Sequence, residues 1–527
     1  MSEPWVRYED EHLLAVAKPA GVTTHRTDAV AQDGMYEWVQ RQRPAAPLAI
    51  VHRLDKATSG VLLFGKTPEA NRSLAAQFEQ RTVSKRYELI VERDARRASS
   101  LSSTVPISRQ QRGRPVDLVA STDFERVQSG PNLERFDARP HTGRTHQVRV
   151  HAAELGMPIL GDAEHGGASA ARLFLHAAGL GIEHPTNGSL AIAAERPASF
   201  DRVLAGTQSA SASTQIAALV ALEARTALFD PTDTNAYLWI DRHHDGFDNV
   251  RVERLGDVAL VVNYDESARP TPSHWVDALS ASASLRAIYE QRRPQAGGAL
   301  PTLLRGTADP SFDVLELGAR YQVDLEASST STGLFLDQRE TRRELRSSAL
   351  SGQTLLNAFA HTGSLSVAAA LGGAQTLSLD LSKRYLEWAA DNLRLNDVDP
   401  GDHDFIYGDA MEWMARLAKK GRRFDVVLVD PPSSSTPRKG RGGRWAVDRD
   451  LHMLVARATH LCASGGRLFV STNLRRMTWP AFLDHINRGL KEAGRSGETS
   501  TRTLPLDHRS GPGDPPYLKA AWIQLHE

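Results

Sequence analysis

Residues 354–396 read TLLNAFAHTGSLSVAAALGGAQTLSLDLSKRYLEWAADNLRLN. The apolar runs TLLNAF and AQTLSLDL predict two strands, and SKRYLEWAADNLRLN predicts an amphipathic helix that begins with Ser382, a good helix cap. Downstream, FDVVLVDPP (424–432) and GRLFVSTN (466–473) predict further strands with helices between them. This regular alternation predicts an α/β domain over residues 346–527, whose parallel, doubly wound sheet binds ligands beyond the carboxyl ends of its strands.

A short polar linker separates this region from the start of the chain. The stretch AGTQSASAST (205–214) is small and polar without apolar periodicity, which places the linker at residues 206–214. After it, residues 215–345 are predicted to form a small β-rich segment. The reason is that NAYLWIDRHHDGFDNVRVERLGDVALVVNY has short apolar runs broken by Asp-Gly and Gly-Asp turns. The chain is therefore predicted to be multidomain.

Residues 1–205 have a different pattern. The runs HLLAVAKP, GVLLFGK and RYELIVE predict strands. Between them, TPEANRSLAAQFEQR predicts a helix with Thr67 as its cap and Pro68 at its first position, and THQVRVHAAEL predicts a second helix. Because strands and helices do not alternate regularly, this part is predicted to have an α+β fold with a mixed, largely antiparallel sheet.

The composition narrows the class of protein. A chain of 527 residues is too long for one hydrophobic core, and its 41% hydrophobic and 24% charged content is typical of a soluble protein. The sequence shows neither a secretory signal nor an apolar run of about 18 residues, so no membrane association is expected. The single Cys462 excludes an internal disulfide and a cysteine-based zinc cluster, which indicates a reducing, cytoplasmic location.

Charge is balanced overall but unevenly distributed. The 63 Lys and Arg equal the 63 Asp and Glu, which argues against binding to nucleic acid through charge alone. Residues 80–114 nevertheless carry nine Lys or Arg against three Asp or Glu, and PRKGRGGR (437–444) adds four cations with no anion. Such runs fit either a solvated face or a phosphate-binding surface.

The stretch VHRLDKATSG (51–60) carries the first candidate catalytic residue. Asp55 precedes a Thr-Ser-Gly turn, and by itself such a carboxylate would brace the turn by accepting hydrogen bonds from backbone amides. The stretch HTGRTHQVRVHAAELGMPILGD (141–162) brings Arg144, Arg149 and a histidine between them to the start of a helix. This is more cation than a fold normally needs, and helix starts bind phosphate through free N–H groups.

Together these segments resemble the RluA-type pseudouridine synthases over roughly residues 6–205. The resemblance rests on the ordered motifs KPAGV (18–22), HRLDKATSG (52–60), KRYELIV (85–91), GRTHQVRVH (143–151) with PILGD, and LFLHAAGL (173–180). It implies an α+β synthase domain that detaches uridine from its ribose and rejoins it through carbon, without a metal or a cofactor. The RNA substrate on this resemblance is ribosomal or transfer RNA.

The resemblance also implies roles for individual residues. Asp55 matches the catalytic carboxylate, and Arg144 matches the arginine that pairs with it and keeps it ionised. Tyr87 matches the aromatic residue that packs on the uracil and helps to move a proton. Arg53 and Arg149 are expected to contact RNA, with Arg53 holding the target base out of its stack. The histidines expected to have structural roles are His52, His146 and His176.

The second candidate site follows the alternating pattern. LLNAFAHTGSLSVAAALGG follows a strand and opens a helix, as a nucleotide-binding turn does, although only Gly363 remains of the three glycines of a dinucleotide fingerprint. Asp380, Asp409 and Asp430 each end a predicted strand. This series suits a cofactor across the strand ends, with Asp380 on ribose hydroxyls and Asp409 on an adenine amino group. Each aspartate by itself also fits a helix cap.

Residues 216–527 resemble the RlmI/RlmK-like class I methyltransferases, which act on large-subunit ribosomal RNA. The resemblance rests on TGLFLDQRETRREL (332–345) and on YLEWAADNLRLN, which is similar to the RlmK branch. It implies a Rossmann-like fold, S-adenosylmethionine as cofactor and an RNA-binding role for residues 215–345. The implied cofactor-binding residues are Phe335, Asn357, Phe359, Thr362, Gly363, Asp380, Asp409 and Asp430. The resemblance also implies that Arg339 contacts RNA, with Asp337 near either ligand. The run PRKGRGGR departs from the pattern of the group because it is more basic, and its Arg438, Lys439 and Arg441 are expected to contact RNA phosphates.

The choice of methylated atom can be narrowed, because methylation at different atoms requires different catalytic residues. Methylation at cytosine C5 requires a cysteine, which in the 5-methylcytosine members follows the fifth strand. Here Asn473 occupies that place, and Cys462 is expected to be a buried helix residue, so cytosine C5 is disfavoured. The resemblance implies Asp430 and Asn473 as catalytic residues of a guanine-N7 enzyme, which need only align the base and offset its charge. The guanine exocyclic N2 amine is the alternative.

The sequence as a whole predicts a bifunctional enzyme that modifies large-subunit ribosomal RNA. A different class of function would be a non-catalytic, RNA-binding ribosome assembly factor, but the presence of Asp55, Arg144, Asp380 and Asp430 argues against idle sites. Neither a metal site nor an obligate protein partner is predicted. The target nucleotides, the oligomeric state and any coupling between the two sites stay open.

Overall fold

The computed structural model describes residues 3–28, 31–111, 114–206, 210–265, 269–293, 299–328, 331–433, 445–510 and 516–527. In the described part of residues 1–205 the strands are β1 (Val6–Glu9), β2 (Leu13–Lys18), β3 (Ala49–Ile50), β4 (Ser59–Gly65), β5 (Ser84–Glu92), β6 (Ser100–Ser103), β7 (Ile107–Gln111), β8 (Arg114–Leu118), β9 (Thr122–Ser129), β10 (Leu133–Pro140), β11 (Leu175–His184) and β12 (Gly188–Ala193).

These strands form one mixed sheet and a separate hairpin of β7 and β8. The main sheet has the order β1-β2-β4-β11-β5-β10-β9-β6, with β3 beside β4 and β12 beside β11. The pair β4–β11 is parallel, and the other pairs of this sheet are antiparallel. The predicted α+β fold with a largely antiparallel sheet is therefore confirmed.

The helices of this part are α1 (Met35–Gln42), α2 (Pro68–Gln80), α3 (Gln147–Glu154) and α4 (Ala198–Leu204). Helix α2 begins as predicted, because Thr67 Oγ1 accepts a hydrogen bond from Ala70 N at 3.2 Å and Pro68 occupies the first position. Helix α3 follows His146, whose backbone is left-handed with φ 55°. Residues 144–149, around this turn, line the first candidate site.

The predicted linker is partly wrong, because helix α5 (Ala210–Thr226) includes its second half. Residues 207–209 lie outside the described residues. Alanine is the best helix former and leaves room for close packing, and Ala217, Ala218 and Ala221 of α5 are buried in a core cluster. Neither α5 nor any other helix in the described ranges has the length and hydropathy to cross a membrane.

The middle part is β-rich, as predicted. It contains β13 (Ala236–Asp241), β14 (Val250–Leu255), β15 (Val258–Asn263), α6 (Ser273–Ser282), β16 (Ala287–Arg292), β17 (Thr302–Gly306), β18 (Ser311–Glu316) and β19 (Ala319–Asp324). Strands β13 to β17 form a sheet in chain order, and β18 pairs with β19. Helix α7 (Arg339–Ser347) then crosses the predicted boundary between residues 345 and 346, and its Leu345 packs under the next sheet.

The last part is a doubly wound α/β domain, as the alternating pattern predicts. Its elements are β20 (Thr354–Ala358), α8 (Ser364–Leu371), β21 (Gln375–Asp380), α9 (Lys383–Arg394), β22 (Asp404–Tyr407), α10 (Ala410–Lys419), β23 (Phe424–Val429), α11 (Val447–Leu461), β24 (Cys462–Thr472), α12 (Trp479–Glu492), β25 (Gly497–Arg502) and β26 (Lys519–Leu525). The sheet order is β22-β21-β20-β23-β24-β26-β25, and β26 runs antiparallel to its neighbours. The order reverses between β20 and β23, where such sheets bind ligands.

The parts share a hydrophobic core. One cluster joins Trp38 and Phe64 of the first part to Trp239 of the middle part and to Leu506, which lies between β25 and β26. All four side chains are almost completely buried. The segment that carries Leu506 therefore packs against the middle and first parts as well as its own sheet.

Candidate active sites

The first site is a cleft of about 750 Å³ above the first sheet. The residues predicted for this site lie together in its lining, which includes Arg53, Asp55, Tyr87, Arg144 and Arg149. They come from the loop before β4, from β5 and from the start of α3. A cleft of this size can hold a nucleotide that has been turned out of its stack.

Asp55 lies in this cleft because its neighbours in the chain are fixed. Leu54 N donates to Thr24 Oγ1 at 3.0 Å, and the same hydroxyl donates to Leu54 O at 2.9 Å. Asp55 O accepts from Thr58 N at 3.1 Å, which closes the turn expected from the sequence. The Asp55 side chain is 31% exposed, so its carboxylate is accessible to a ligand from the cleft.

Two groups face the Asp55 carboxylate. Arg149 Nη1 lies 4.0 Å and His146 Nε2 lies 3.8 Å from Asp55 Oδ2. Arg149 is itself held by Asp162, through contacts of 2.6 and 2.8 Å, and by Glu164 at 2.7 Å. These charge-assisted bonds raise the pKa of Arg149 above its ordinary value despite burial, so the guanidinium stays a fixed positive charge beside Asp55.

The predicted pairing of Arg144 with Asp55 is wrong. Arg144 lines the cleft, but its Nε donates to Val119 O at 3.1 Å, and it forms no ion pair with Asp55 in this part of the structure. Arg149 takes that place, and its side chain is only 9% exposed, which also argues against the predicted RNA-contact role. The reason is helical geometry: Arg149 lies in the first turn of α3 and faces inward, whereas Arg144 precedes the helix.

Tyr87 lies on β5 beside the carboxylate. Its ring packs against two hydrophobic clusters, so it borders both the core and the cleft. Burial and then the charge of Asp55 raise the pKa of Tyr87 to about 12. At neutral pH the hydroxyl therefore keeps its proton, and it can donate a hydrogen bond to a base or to a developing anion.

Two of the three histidines predicted to be structural have structural partners. His52 Nε2 accepts from Leu63 N at 3.0 Å, and His176 Nδ1 lies 2.8 Å from Ser59 Oγ. Burial lowers the pKa of each to about 4, so both are neutral. His146 differs, because it faces Asp55. Sequence reasoning also missed Asp162, although it ends the motif PILGD that supports the resemblance.

The second site lies at the carboxyl ends of β20, β21, β23 and β24. Asp380 ends β21, and its carboxylate accepts hydrogen bonds from His361 N and Ser382 N, both at 2.8 Å. Burial raises the pKa of Asp380. Asp380 therefore lies at the end of the strand next to β20 and braces the turn that leaves β20.

That turn depends on a glycine. Gly363 has φ 73°, and a Cβ atom there would lie 2.5 Å from Ala389 Cβ, so no larger residue fits without a shift. Asn357 and Thr362, which were predicted to bind the cofactor, are buried and bonded within the protein. Asn357 Nδ2 donates to Ser366 Oγ, and Thr362 Oγ1 donates to Gly333 O. Their side chains shape the turn.

An imidazole not predicted from the sequence lies over this turn. The His361 ring is 4.9 Å from the Phe335 ring and 4.3 Å from the Tyr385 ring, measured between centroids. Burial lowers the pKa of His361 to about 4, and its Nε2 is buried without a hydrogen-bond partner among the described residues. Phe335 is 42% exposed. A buried polar atom beside an exposed ring is a place where a polar, flat ligand fits.

Two other residues predicted to bind the cofactor lie near this turn. Asp409 is exposed, and its Oδ1 accepts from Glu412 N at 3.0 Å, so it caps α10. Phe359 has φ 66°, and its ring lies 6.5 Å from that of Trp445. Their contact with an adenine stays a prediction.

Asp430 follows β23 and has two neutral partners. Ser471 Oγ donates to its Oδ1 at 2.6 Å, and Gln338 Nε2 donates to its Oδ2 at 3.0 Å. Burial, with a contribution from the negative charge of Asp337, raises the pKa of Asp430 to about 6, although the two hydrogen bonds lower it. Sequence reasoning missed Gln338 and Ser471. Gln338 lies between Asp337 and Arg339 in the motif TGLFLDQRETRREL (332–345), and this position was the signal for it in the sequence.

Asn473 and Cys462 are the two residues on which the prediction against cytosine C5 rests. Asn473 Oδ1 accepts from Ser433 Oγ at 2.9 Å, just beyond the strand that ends beside Asp430. Cys462 is not a helix residue as expected, since it is the first residue of β24. It is 2% exposed, and burial raises the pKa of its thiol to about 12. A buried, protonated thiol at the other end of the strand does not supply a nucleophile.

Arg339 was predicted to contact RNA, and this is wrong. Its side chain is completely buried, with Nε 3.1 Å from Glu316 Oε2 and Nη1 2.6 Å from Asp507 Oδ1. The charge of Arg339 is therefore paired with carboxylates inside the protein. The other predicted RNA-binding residues of this half, Arg438, Lys439 and Arg441, lie outside the described residues.

Comparison with known proteins finds two different families along the chain. Residues 12–154 match the family model described as RNA pseudouridylate synthase, and residues 271–493 match that of S-adenosylmethionine-dependent methyltransferase. The chain is 31% identical over 314 residues to a putative ribosomal RNA large subunit methyltransferase, YwbD, of Bacillus subtilis, covering 58% of this chain and 78% of that protein.

Further relatives are methyltransferases. The ribosomal RNA large subunit methyltransferase K/L of Allochromatium vinosum is 36% identical over 54% of this chain, which spans only 40% of that enzyme. A crystal structure of a putative methyltransferase complexed with SAH has a TM-score of 0.55 at 25% identity and covers 66% of this chain and 88% of its own. A putative methyltransferase from Streptococcus mutans gives a TM-score of 0.54 with the same coverage and identity.

Proposed function

We propose that this chain, which belongs to the S-adenosylmethionine-dependent methyltransferase family and carries an RNA pseudouridylate synthase domain ahead of that fold, makes two modifications in large-subunit ribosomal RNA. The observation that carries the proposal is the presence of two separate aspartate sites with different surroundings. The ribosomal target follows from the names of the relatives, which are ribosomal RNA large subunit methyltransferases.

In the first site Asp55 would attack the target uridine or balance the charge that develops as the base leaves its ribose. Arg149, 4.0 Å away, places a positive charge beside the carboxylate in either role. Tyr87 keeps its proton and would orient the detached uracil until it rejoins the ribose through carbon. Arg53, which is exposed at the cleft, would contact the displaced strand. We propose that these residues need no cofactor.

In the second site the turn after β20 would hold S-adenosylmethionine. The fit rests on the unpartnered Nε2 of His361, on the exposed ring of Phe335 and on Asp380 at the end of β21. When bound, the cofactor supplies an electrophilic methyl group. The protein side chains would bind and orient the two ligands, and Asp430 would place a negative charge beside the base that receives the methyl group.

The methyl acceptor proposed here is a guanine, with two candidate atoms. N7 carries no proton and becomes positively charged, which Asp430 can offset while both its oxygens stay bonded to Ser471 and Gln338. The exocyclic N2 amine must lose a proton, and it is favoured by the pKa of Asp430 of about 6, close to the range useful for a general base. The same residues thus suit two isomeric products of equal mass, which differ in chromatographic retention after digestion of the RNA.

The direct test is to incubate unmodified large-subunit ribosomal RNA with the protein, with and without S-adenosylmethionine, and to analyse nuclease digests. Pseudouridine is expected in both samples, and methylguanosine only with the cofactor. Chromatographic standards distinguish the N7 from the N2 product. Binding without either product would favour the assembly-factor alternative, and methylcytosine would contradict the guanine proposal.

A further inference from the structure

The segment between β25 and β26 of the methyltransferase half reaches the loop that carries the synthase aspartate. Arg509 Nη2 donates to Ala20 O at 3.1 Å, and Lys56 Nζ donates to Ser510 O at 3.0 Å. Lys56 is the residue after Asp55. We propose that Arg509 is a positioning residue for pseudouridine formation, although it belongs to the other half of the chain. This inference rests on the synthase activity proposed above.

Both chain neighbours of Asp55 are held by residues 18–24. On one side, Thr24 bonds to the N–H and the carbonyl of Leu54. On the other side, Lys56 O accepts from Gly21 N at 2.7 Å and from Lys18 Nζ at 3.4 Å. The position of the Asp55 carboxylate is therefore set by the position of residues 18–24, which we call the cradle.

The cradle is in turn held from outside by Arg509. Besides its bond to Ala20, the guanidinium lies against Gly21, where an added Cβ atom would be only 2.8 Å from Arg509 Nη1. Gly21 has φ 82°, a conformation that glycine adopts freely. The guanidinium therefore occupies the space that a side chain at position 21 would need, and it packs directly against the cradle backbone.

Arg509 is suited to this role because it is rigid. Its side chain is 11% exposed, and its Nε lies 4.0 Å from Asp245 Oδ1. The backbone N of Arg509 donates to Asp241 Oδ2 at 2.9 Å. Asp245 is fixed by Arg225, which is fully buried. The guanidinium is thus anchored in the core of the middle part and acts as a support rather than as a flexible surface contact.

The charge of Arg509 also acts on two lysines near Asp55. Lys18 is almost completely buried, and burial and nearby cations, Arg509 among them, lower its pKa, while Asp55 opposes this shift. Burial and Arg509 likewise lower the pKa of Lys56. The cation of Arg509 therefore acts on Lys18 of the cradle and on Lys56 beside Asp55. Its removal changes the electrostatic field at the Asp55 loop as well as the contact with Ala20.

The experiment uses the full chain and measures kcat and KM for pseudouridine formation on ribosomal RNA. For Arg509→Ala we expect kcat to fall roughly 10- to 100-fold with KM within about twofold, because displacement of a reacting group by about 1 Å has effects of this size. Arg509→Lys keeps a cation and a donor, and it should recover most of the rate. The methylation rate of the same samples reports whether the second half remains folded.

The matched control is Gln42→Ala. It removes another bond between the halves, from Arg343 Nη1 to Gln42 Oε1 at 2.6 Å, that does not touch the cradle. Wild-type kcat is expected for this variant. An unchanged kcat in Arg509→Ala, or an equal loss in Gln42→Ala, would overturn the proposal, whereas absence of pseudouridine with the wild-type protein would overturn the synthase function itself.

If Arg509→Ala also loses methylation, Gly21→Ala replaces it as the test. The added methyl group would press on the guanidinium from the synthase side, so kcat for pseudouridine should fall while methylation is retained. Normal pseudouridine kcat in this variant would contradict the cradle mechanism.

Discussion

The two candidate sites place the same residue type in opposite surroundings. Asp55 faces the guanidinium of Arg149 and the imidazole of His146, whereas Asp430 accepts hydrogen bonds from the neutral Gln338 and Ser471. Among the described residues no cation lies within ion-pairing distance of Asp430. A paired charge suits a carboxylate that must stay ionised while it reacts, and an unpaired one suits a carboxylate that offsets a charge arising in the substrate.

The first way to test this contrast is to remove the cation of the first site. We expect Arg149→Met to lower the rate of pseudouridine formation by roughly 100- to 1000-fold, because the charge beside Asp55 is lost and Asp162 loses both of its hydrogen bonds to the guanidinium. Arg144→Met is the matched control from the same cleft, with a change mainly in KM. The rate of pseudouridine formation on ribosomal RNA is measured for both variants. A larger loss of kcat in Arg144→Met than in Arg149→Met would support the pairing of Arg144 with Asp55 that was predicted from the sequence.

The second test concerns the buried arginine behind the second site. Arg339 binds Glu316 and Asp507 within the core, so Arg339→Met should lower the free energy of unfolding by roughly 3–5 kcal/mol, as for other broken buried ion pairs. Urea unfolding measures this. The control Arg394→Met removes an exposed pair with Asp391, which is worth less than about 1 kcal/mol. Unchanged stability together with weaker RNA binding in Arg339→Met would instead support the predicted RNA contact.

The smallest expected effect is a shift in pH dependence. Because burial raises the pKa of Asp430 to about 6, the methylation rate should fall as the pH drops through this value and the carboxylate becomes protonated. Ser471→Ala removes a bond that lowers this pKa and should move the midpoint up. Asp337→Asn removes a charge that raises it and should move the midpoint down, each by roughly one unit or less. Midpoints that move in the same direction in both variants would be inconsistent with these causes.

The sequence predicted the framework of both sites well, because local patterns determine it. Alternating apolar runs and caps such as Thr67 and Ser382 specify elements within a few residues, and strand ends placed Asp380 and Asp430 at one edge of a sheet. Motif order likewise placed Asp55 and Tyr87 in one cleft. These predictions need no knowledge of how distant segments pack.

The wrong predictions of side-chain partners in the two sites depend on distant packing. Two arginines of GRTHQVRVH were equally available to Asp55, and the choice of Arg149 depends on Asp162 and on the direction of α3. Arg339 looked available to RNA, but it is neutralised by Asp507, 168 positions later. The partners of Asp430 come from segments 92 and 41 positions away. No local pattern reports such pairs.

The central claim is that the chain holds two separate reactions, each with its own aspartate. The most direct measurement is the modification content of ribosomal RNA treated with Asp55→Asn and with Asp430→Asn in the presence of S-adenosylmethionine. Asp55→Asn should yield methylguanosine without pseudouridine, and Asp430→Asn should yield pseudouridine with methylation reduced roughly 100-fold or more. Full pseudouridine formation by Asp55→Asn, or loss of both products in either variant while the protein remains folded, would contradict the claim.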